Sequence, residues 1–153
     1  HSITGYNYRM SNILAGIGCG QMQVLKERVE QRRDNFSFYR EKLKNIPGVS
    51  FSWEPDNRYF SNRWLTTILI DPQKTGVTRE DVRIHLEKEN IESRPLWKPM
   101  HLQPVFSGCP FYLNGTSEDL FRKGLCLPSG SNLTEEDRER IISNLTNALK
   151  VSP

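Results

Sequence analysis

The amino-acid sequence predicts an α+β domain in which a long N-terminal helix leads into a small sheet with helices on one face. Three observations support this class. The 153 residues are enough for one hydrophobic core. Apolar residues recur at helical spacing through the first part of the chain, and short β-branched runs then alternate with further helical patterns. The sequence shows no internal repeat or linker, so we expect residues 1–153 to form a single domain.

The first predicted element is a long helix over residues 12–44. Ser11 suits the N-cap position, and Pro47-Gly48 is expected to end the helix. Gly16 and Gly20 fall on one helical face, which favours close approach by another backbone. A dinucleotide-binding loop is rejected because such a loop requires a strand directly before its glycines. The apolar positions at roughly helical spacing are Ile13, Ile17, Val24, Leu25, Val29, Phe36, Tyr39 and Leu43.

The remaining elements are predicted from short β-rich runs and from helix caps. Thr78 with Asp81, and Thr134 with Asp137, have the spacing of capping boxes. Asp71-Pro72 is expected to close the second strand, and the proline-rich segment 95–110 is expected to be irregular. In chain order we predict strands over 49–53 and 64–70, a helix over 78–90, a strand over 91–96, a helix over 117–124, a strand over 125–127 and a helix over 134–149.

Composition narrows the function classes. A net charge of +3 from 21 basic and 18 acidic side chains, alternating in sign, does not favour nucleic-acid binding. No apolar run reaches the roughly 20 residues of a membrane helix, so we expect no membrane partner. The 3 histidines are too scattered for a metal site, and the 3 widely spaced cysteines indicate reduced thiols in a cytoplasmic protein.

Two segments carry more aromatic and cationic side chains than an ordinary loop. Residues 5–12 place two tyrosines, two asparagines and an arginine where the first helix begins. Residues 92–104 combine prolines and Trp97 with cationic or polar tips. Rigid loops of this composition suit an anionic ligand that contains a ring. For the second segment, a proline-rich edge loop without a ligand is the alternative.

These segments resemble a known family. The run Gly-Tyr-Asn-Tyr-Arg-Met-Ser-Asn-Ile at residues 5–13, with Gln21 and Arg32-Arg33, resembles the DegT/DnrJ/EryC1/StrS family of sugar aminotransferases. Residues 94–104 resemble the subset that aminates UDP-linked 4-keto-6-deoxy sugars. Residues 127–130 resemble the closing strand and turn of the family, and the resemblance runs over essentially the whole chain in order.

The resemblance implies fold type I of the pyridoxal-phosphate enzymes. This chain would supply the connecting helix, over about 11–44, and the small C-terminal domain of a larger homodimeric enzyme. The cofactor would be pyridoxal 5'-phosphate. None of the lysines here matches the motif of the family's Schiff-base lysine, so no catalytic residue is assigned and the chain alone is expected to be inactive.

The resemblance also implies roles for particular residues. Asn7 would donate a hydrogen bond to the cofactor phosphate in the other subunit. Arg9 would face the phosphates of the nucleotide sugar, and Tyr8 would help to shape the same pocket. The residues expected to contact the nucleotide-sugar substrate are Tyr8, Arg9, Arg94, Trp97, Lys98 and His101.

The implied activity is transfer of an amino group from glutamate to a keto sugar nucleotide for cell-surface polysaccharide or glycan biosynthesis. The 4-keto, UDP-linked substrate rests on residues 94–104 alone. Two alternatives stay open. The chain could be an autonomous binding or dimerisation module, or it could belong to a relative without transaminase activity, such as a sugar dehydratase or a regulator.

Overall fold

The computed structural model describes residues 9–52 and 54–150, except for the side chain of Lys150. The α+β class is confirmed, and the long N-terminal helix leads into a small antiparallel sheet. The elements in chain order are α1 Asn12–Leu43, β1 Val49–Phe51, β2 Thr66–Ile70, α2 Pro72–Thr75, α3 Arg79–Lys88, β3 Arg94–Pro95, two 3-10 turns at Met100–Leu102 and Pro104–Phe106, α4 Thr116–Lys123, β4 Gly124–Leu127 and α5 Glu135–Lys150.

The predicted helix starts are confirmed by their caps. Ser11 Oγ accepts a hydrogen bond from the Leu14 amide at 3.3 Å. Thr78 and Asp81 form the predicted capping box at the start of α3. Before α5, the Asp137 amide donates to Thr134 Oγ1 at 3.1 Å, and the Thr134 amide donates to the Asp137 carboxylate at 3.0 Å. These bonds satisfy amides that a helix start leaves without partners.

Two predictions about the strands needed correction. The strand predicted over 91–96 forms only at Arg94–Pro95, because Ile91 turns into the hydrophobic core and Pro95 has no N–H for a ladder. Asp71-Pro72, expected only to close β2, instead begins the one-turn helix α2. The Asp71 carboxylate accepts from the Gln73 amide at 3.2 Å, as an N-cap does when proline takes the first helical position.

The four strands form an antiparallel sheet in the order β1-β2-β4-β3. In the central strand β2, Ile68 lies opposite Phe51 of β1 and Leu125 of β4. Because directly opposed residues share a face of the sheet, these apolar side chains lie on one side. The core joins that side to buried residues of α1, α3 and α5, including Leu43, Leu86 and Leu145.

The C-terminal half of α1 is tied to the turn that follows β4. Three successive carbonyls of this turn each accept a side-chain hydrogen bond from α1. Tyr39 Oη donates to the Pro128 carbonyl at 3.0 Å, Arg32 Nη1 to that of Ser129 at 3.1 Å, and Asn35 Nδ2 to that of Gly130 at 2.9 Å. Residues 32, 35 and 39 share one helical face, so a single stripe of α1 satisfies the polar backbone of the turn.

The N-terminal half of α1 has a different environment. Ile13 is 76 % exposed and Ile17 is 57 % exposed. A Cβ added at Gly16 or Gly20 would meet nothing within 4 Å, so no described part of the chain makes the close approach predicted for these glycines. Among the described helices, none is both long and apolar enough to cross a membrane.

Candidate functional site

A cavity of about 560 Å³ lies at the β3 edge of the sheet, between the strand ends and α5. This volume is within the range of about 300–1,000 Å³ that is usual for small-molecule sites. Arg94 and Trp97, both predicted as substrate contacts from the sequence, lie in its wall. Packing brings other residues to them from distant parts of the chain, namely Trp64, Ser129, Asp137 and Arg140.

Two tryptophans meet in the wall of this cavity. The ring centroids of Trp64 and Trp97 are 6.1 Å apart, and the ring planes are tilted by 37°. Their side chains are nevertheless 59 % and 66 % exposed. The two indoles therefore contact each other and keep much of their aromatic surface available to a ligand.

The backbone of Trp64 is fixed from both sides. Its amide donates to Asn62 Oδ1 at 3.0 Å, and its carbonyl accepts from Arg32 Nη1 at 2.5 Å. The same Arg32 nitrogen donates to the Ser129 carbonyl at 3.1 Å. One guanidinium group on α1 thus connects two separate segments of the cavity wall, at Trp64 and at Ser129.

The segment that carries Trp97 is fixed by its neighbour Leu96. The Leu96 amide donates to the Gly124 carbonyl at 3.2 Å. A Cβ on Gly124 would lie 2.1 Å from Leu96 Cδ1, far inside van der Waals contact. Only glycine at position 124 lets Leu96 pack this closely against β4, and this packing positions the adjacent indole.

Three charged side chains of the wall, Arg94, Asp137 and Arg140, already have hydrogen-bond partners within the chain. Arg94 pairs with Glu92 at 2.7 Å between Nε and Oε1, and both side chains are largely exposed. An exposed ion pair of this kind contributes about 0–1 kcal/mol, so an anionic ligand can replace the carboxylate at little cost. Arg140 donates to the Glu89 carbonyl, and Asp137 is engaged in the cap of α5.

Three other predicted contacts that the structure describes, Arg9, Lys98 and His101, are not in the wall of this cavity. Lys98 is exposed. His101 has a side chain only 10 % exposed, with its Nε2 3.1 Å from Glu118 of α4 and its ring centroid 5.3 Å from that of Phe111. Arg9 is exposed just before α1. Asn7 and Tyr8 lie outside the described residues.

A partly buried charge cluster, which anchors the loop before Trp64, was not predicted from the sequence. Arg33 binds both carboxylate oxygens of Glu54, at 2.7 and 3.2 Å, and the Ser61 amide donates to the same carboxylate at 2.6 Å. The hydrogen bond from Arg33, followed by that from Ser61, lowers the pKa of Glu54 to about 2. Because the cluster anchors the loop that leads to Trp64, it stabilises one wall of the cavity.

Arg63 completes this cluster from the far end of the loop. Its guanidinium lies 3.7 Å from the centroid of the Phe36 ring, and its Nη1 donates to the Ser52 carbonyl at 3.1 Å. Burial lowers the pKa of Arg63. A cation over an aromatic face is attracted by the ring quadrupole, so α1 and the loop are joined here as well. The adjacent arginines Arg32 and Arg33 are the feature of the sequence that indicated this region, but the sequence does not identify their partners.

The described part of the cavity does not supply the covalent anchor that pyridoxal phosphate needs. Such a cofactor forms a Schiff base with a lysine amine, and no lysine is among the described wall residues. Two lysines elsewhere are paired, Lys42 with Glu139 at 2.8 Å and Lys123 with Asp119 at 3.0 Å. The described wall instead offers the aromatic surface of Trp64 and Trp97 and one arginine, Arg94, whose exposed partner can be exchanged.

The wall also lacks an activated thiol or a metal site within the part of the chain that the structure describes. Cys126 is free and buried, and burial raises the pKa of its thiol, which disfavours the nucleophilic thiolate. No group of three or more His, Cys, Asp or Glu side chains in residues 9–52 and 54–150 is placed to hold a metal ion.

Comparison with solved structures defines the class of the fold. The crystal structure of DesI in the presence of its TDP-sugar product superposes with a TM-score of 0.81 at 26% sequence identity. The match covers 93% of this chain and 36% of DesI. The small sheet and its helices thus have the fold of one part of that longer chain.

Sequence comparison then identifies the family. The model of the DegT/DnrJ/EryC1/StrS aminotransferase family matches residues 1–146, and the chain belongs to this family. It is 49% identical over 149 residues to EpsN of Bacillus subtilis (strain 168), which is provisionally named a pyridoxal phosphate-dependent aminotransferase. It is 32% identical over 136 residues to GDP-perosamine synthase of Escherichia coli O157:H7. These matches cover 95% and 89% of this chain, but the chain spans only 37% and 35% of the two relatives.

Proposed function

We propose that this chain is the C-terminal domain of a homodimeric, pyridoxal-phosphate-dependent aminotransferase of the cytoplasm. The enzyme transfers an amino group from glutamate to a UDP-4-keto-6-deoxy sugar for the biosynthesis of a cell-surface polysaccharide. The observation that carries this proposal is the cavity at the β3 edge, where Arg94 lies with the paired indoles in a chain of the sugar aminotransferase family.

The residues of this chain would bind and orient the substrate. Arg94 offers a planar set of donors to the diphosphate once Glu92 is displaced, and a guanidinium matches phosphate geometry well. The indoles exclude water from one side of the ligand. When bound in the complete protein, the cofactor supplies the electron sink for amino transfer. Proton transfer at the sugar would be performed by groups outside the described wall, because that wall contains no lysine.

The homodimer belongs to the same proposal. By family resemblance, Asn7 of one subunit would reach the cofactor phosphate of the other. Replacing Asn7 by Ala in the complete enzyme should therefore weaken retention of the cofactor. The visible absorbance of the protein after dialysis would report this loss, and unchanged absorbance would remove Asn7 from the site.

The UDP assignment rests on residues 94–104, whereas the names of the relatives above refer to GDP and TDP sugars. We expect the complete enzyme to use UDP-4-keto-6-deoxy sugars with a higher kcat/KM than the GDP- and dTDP-linked ketosugars. The measurement is glutamate-dependent formation of 2-oxoglutarate with each substrate. A preference for GDP or dTDP would refute the assignment, and absence of turnover with all three would favour a relative without transaminase activity.

Arg94 should affect substrate binding more than turnover. Replacing Arg94 by Ala in the complete enzyme is expected to raise KM for the nucleotide sugar roughly 10- to 100-fold, because a charge-assisted contact to phosphate contributes about 1.5–3 kcal/mol. Arg122→Ala is the matched control, since Arg122 is an exposed arginine of α4 outside the cavity wall. Equal KM values for the two variants would exclude Arg94 from the substrate site.

A further inference from the structure

We propose that Trp64 and Trp97 together form the stacking site for the nucleobase of the nucleotide sugar. This inference rests on the proposed function and specifies which part of the substrate the cavity holds. It also assigns a ligand role to Trp64, which lies 33 positions before Trp97 in the sequence and reaches it only through folding.

The exposure of the two indoles is the first argument. Contiguous exposed apolar patches mark binding sites. Tyr59 and Phe60 are also exposed neighbours, but they are not among the described residues of the cavity wall. Trp64 and Trp97 are each more than half exposed, although they contact one another in the wall of a cavity. Their remaining aromatic surface is therefore free to pack against a planar ring.

The anchoring of both segments is the second argument. The Trp64 amide and carbonyl are each bonded to a side chain, and Leu96 fixes the backbone next to Trp97 on β4. A centroid distance of 6.1 Å is that of an aromatic pair already in contact, so the base would stack on the exposed surface of the pair without separating the rings. Preorganised side chains of this kind lose little conformational entropy when a ligand binds.

The composition of the wall indicates which end of the substrate binds here. The sugar ketone has to reach the reacting lysine, and no lysine is among the described residues of the wall. The cavity is therefore suited to the nucleotide end. Arg94 lies in the same wall and would hold the diphosphate beside the base. Every base can stack on an aromatic side chain, because stacking uses the face of the ring and not its hydrogen-bonding edge. The tryptophan pair would therefore contribute to affinity for the nucleotide more than to specificity for one base.

The test is a calorimetric titration of the complete enzyme with UDP, with uridine and with inorganic pyrophosphate. We expect UDP to bind more tightly than pyrophosphate. Trp64→Leu and Trp97→Leu should each weaken UDP binding about tenfold, the order expected for loss of one stacking contact. Neither substitution should change the affinity for pyrophosphate. Tyr59→Leu is the matched control, because Tyr59 is 55 % exposed on the same loop and is not a described residue of the wall.

The outcomes separate this inference from the proposed function. If UDP and pyrophosphate bind equally well, and Arg94→Ala weakens both while the Trp variants do not, the stacking site is wrong and the nucleotide cavity stands. If neither UDP nor pyrophosphate binds, the cavity is not a nucleotide site and both proposals fail. If a Trp variant does not fold, the indole N–H resonances of the unaltered enzyme decide the question. UDP should shift the resonances of Trp64 and Trp97 and pyrophosphate should not, and unshifted resonances with bound UDP would overturn the stacking site.

Discussion

The two halves of helix α1 differ in what surrounds them, although both carry apolar residues at helical spacing. In the C-terminal half, Tyr39 and Leu43 are fully buried against the sheet and α5. In the N-terminal half, Ile13 and Ile17 are mostly exposed, and Gly16 has open space around it. The comparison shows that helical spacing identifies the face of a helix that is suited to packing. It does not show whether the partner lies within the same domain.

The largest expected difference between the halves concerns the core. Leu43→Ala should reduce the free energy of unfolding by about 2–5 kcal/mol, because it removes buried apolar atoms and leaves a cavity. Ile17→Ala, in the exposed half of the same helix, should change it by less than about 0.5 kcal/mol. Urea unfolding followed by circular dichroism measures both. Similar losses for the two variants would mean that the halves do not differ as described.

A smaller effect is expected from the polar stripe that joins α1 to the turn after β4. Asn35 is buried and donates to the Gly130 carbonyl at 2.9 Å. Asn35→Ala leaves this carbonyl without its partner and should cost about 1–3 kcal/mol in unfolding free energy. Asn147→Ala is the control, since Asn147 is an exposed asparagine of α5. If both substitutions lower the free energy of unfolding by the same small amount, the hydrogen bonds from α1 to the turn do not stabilise the helix.

The smallest expected effect depends on pH and concerns the loop that carries Trp64. Hydrogen bonds from Arg33 and Ser61 lower the pKa of Glu54 from 4.5 to about 2 in the folded chain. A lowered folded-state pKa adds stability that is fully present above the unfolded pKa and is lost as pH falls through the folded pKa. The contribution of Glu54 should therefore disappear between about pH 4.5 and pH 2.

Unfolding curves at several pH values across this interval test the contribution of Glu54. The chain should lose more stability on acidification than its Glu54→Gln variant, which lacks the titrating group. Glu30→Gln, on the exposed surface of α1, is the control and should leave the pH dependence unchanged. Identical acid profiles for the chain and Glu54→Gln would show that the Arg33–Glu54 pair does not stabilise the loop.

Much of the fold could be predicted because its signals are local. Capping boxes at Thr78 and Thr134 fixed the starts of α3 and α5, since side chain and amide lie within three residues of each other. Prediction failed where local signals compete. Asp71-Pro72 can end a strand or begin a helix, and here it begins α2. The strand predicted over 91–96 was too long, because burial of Ile91 and the missing N–H of Pro95 limit it to two residues.

The site was predicted less completely because its members come from different elements. Residues 92–104 drew attention to Arg94 and Trp97, which lie in the cavity wall. No sequence pattern links Trp64 or Arg140 to them, since sheet pairing and the packing of α5 bring these residues together. His101 lies in an irregular segment, and no sequence pattern there predicted that it would pair with Glu118 of α4.

We propose that this chain recognises the nucleotide sugar, whereas the reacting amine lies outside it. The most direct test is a single sample of the chain supplied with pyridoxal phosphate, glutamate and a UDP-4-keto-6-deoxy sugar. We predict saturable binding of the nucleotide sugar and no formation of 2-oxoglutarate. Turnover by the chain alone would contradict the claim, because the reacting amine would then have to belong to this chain.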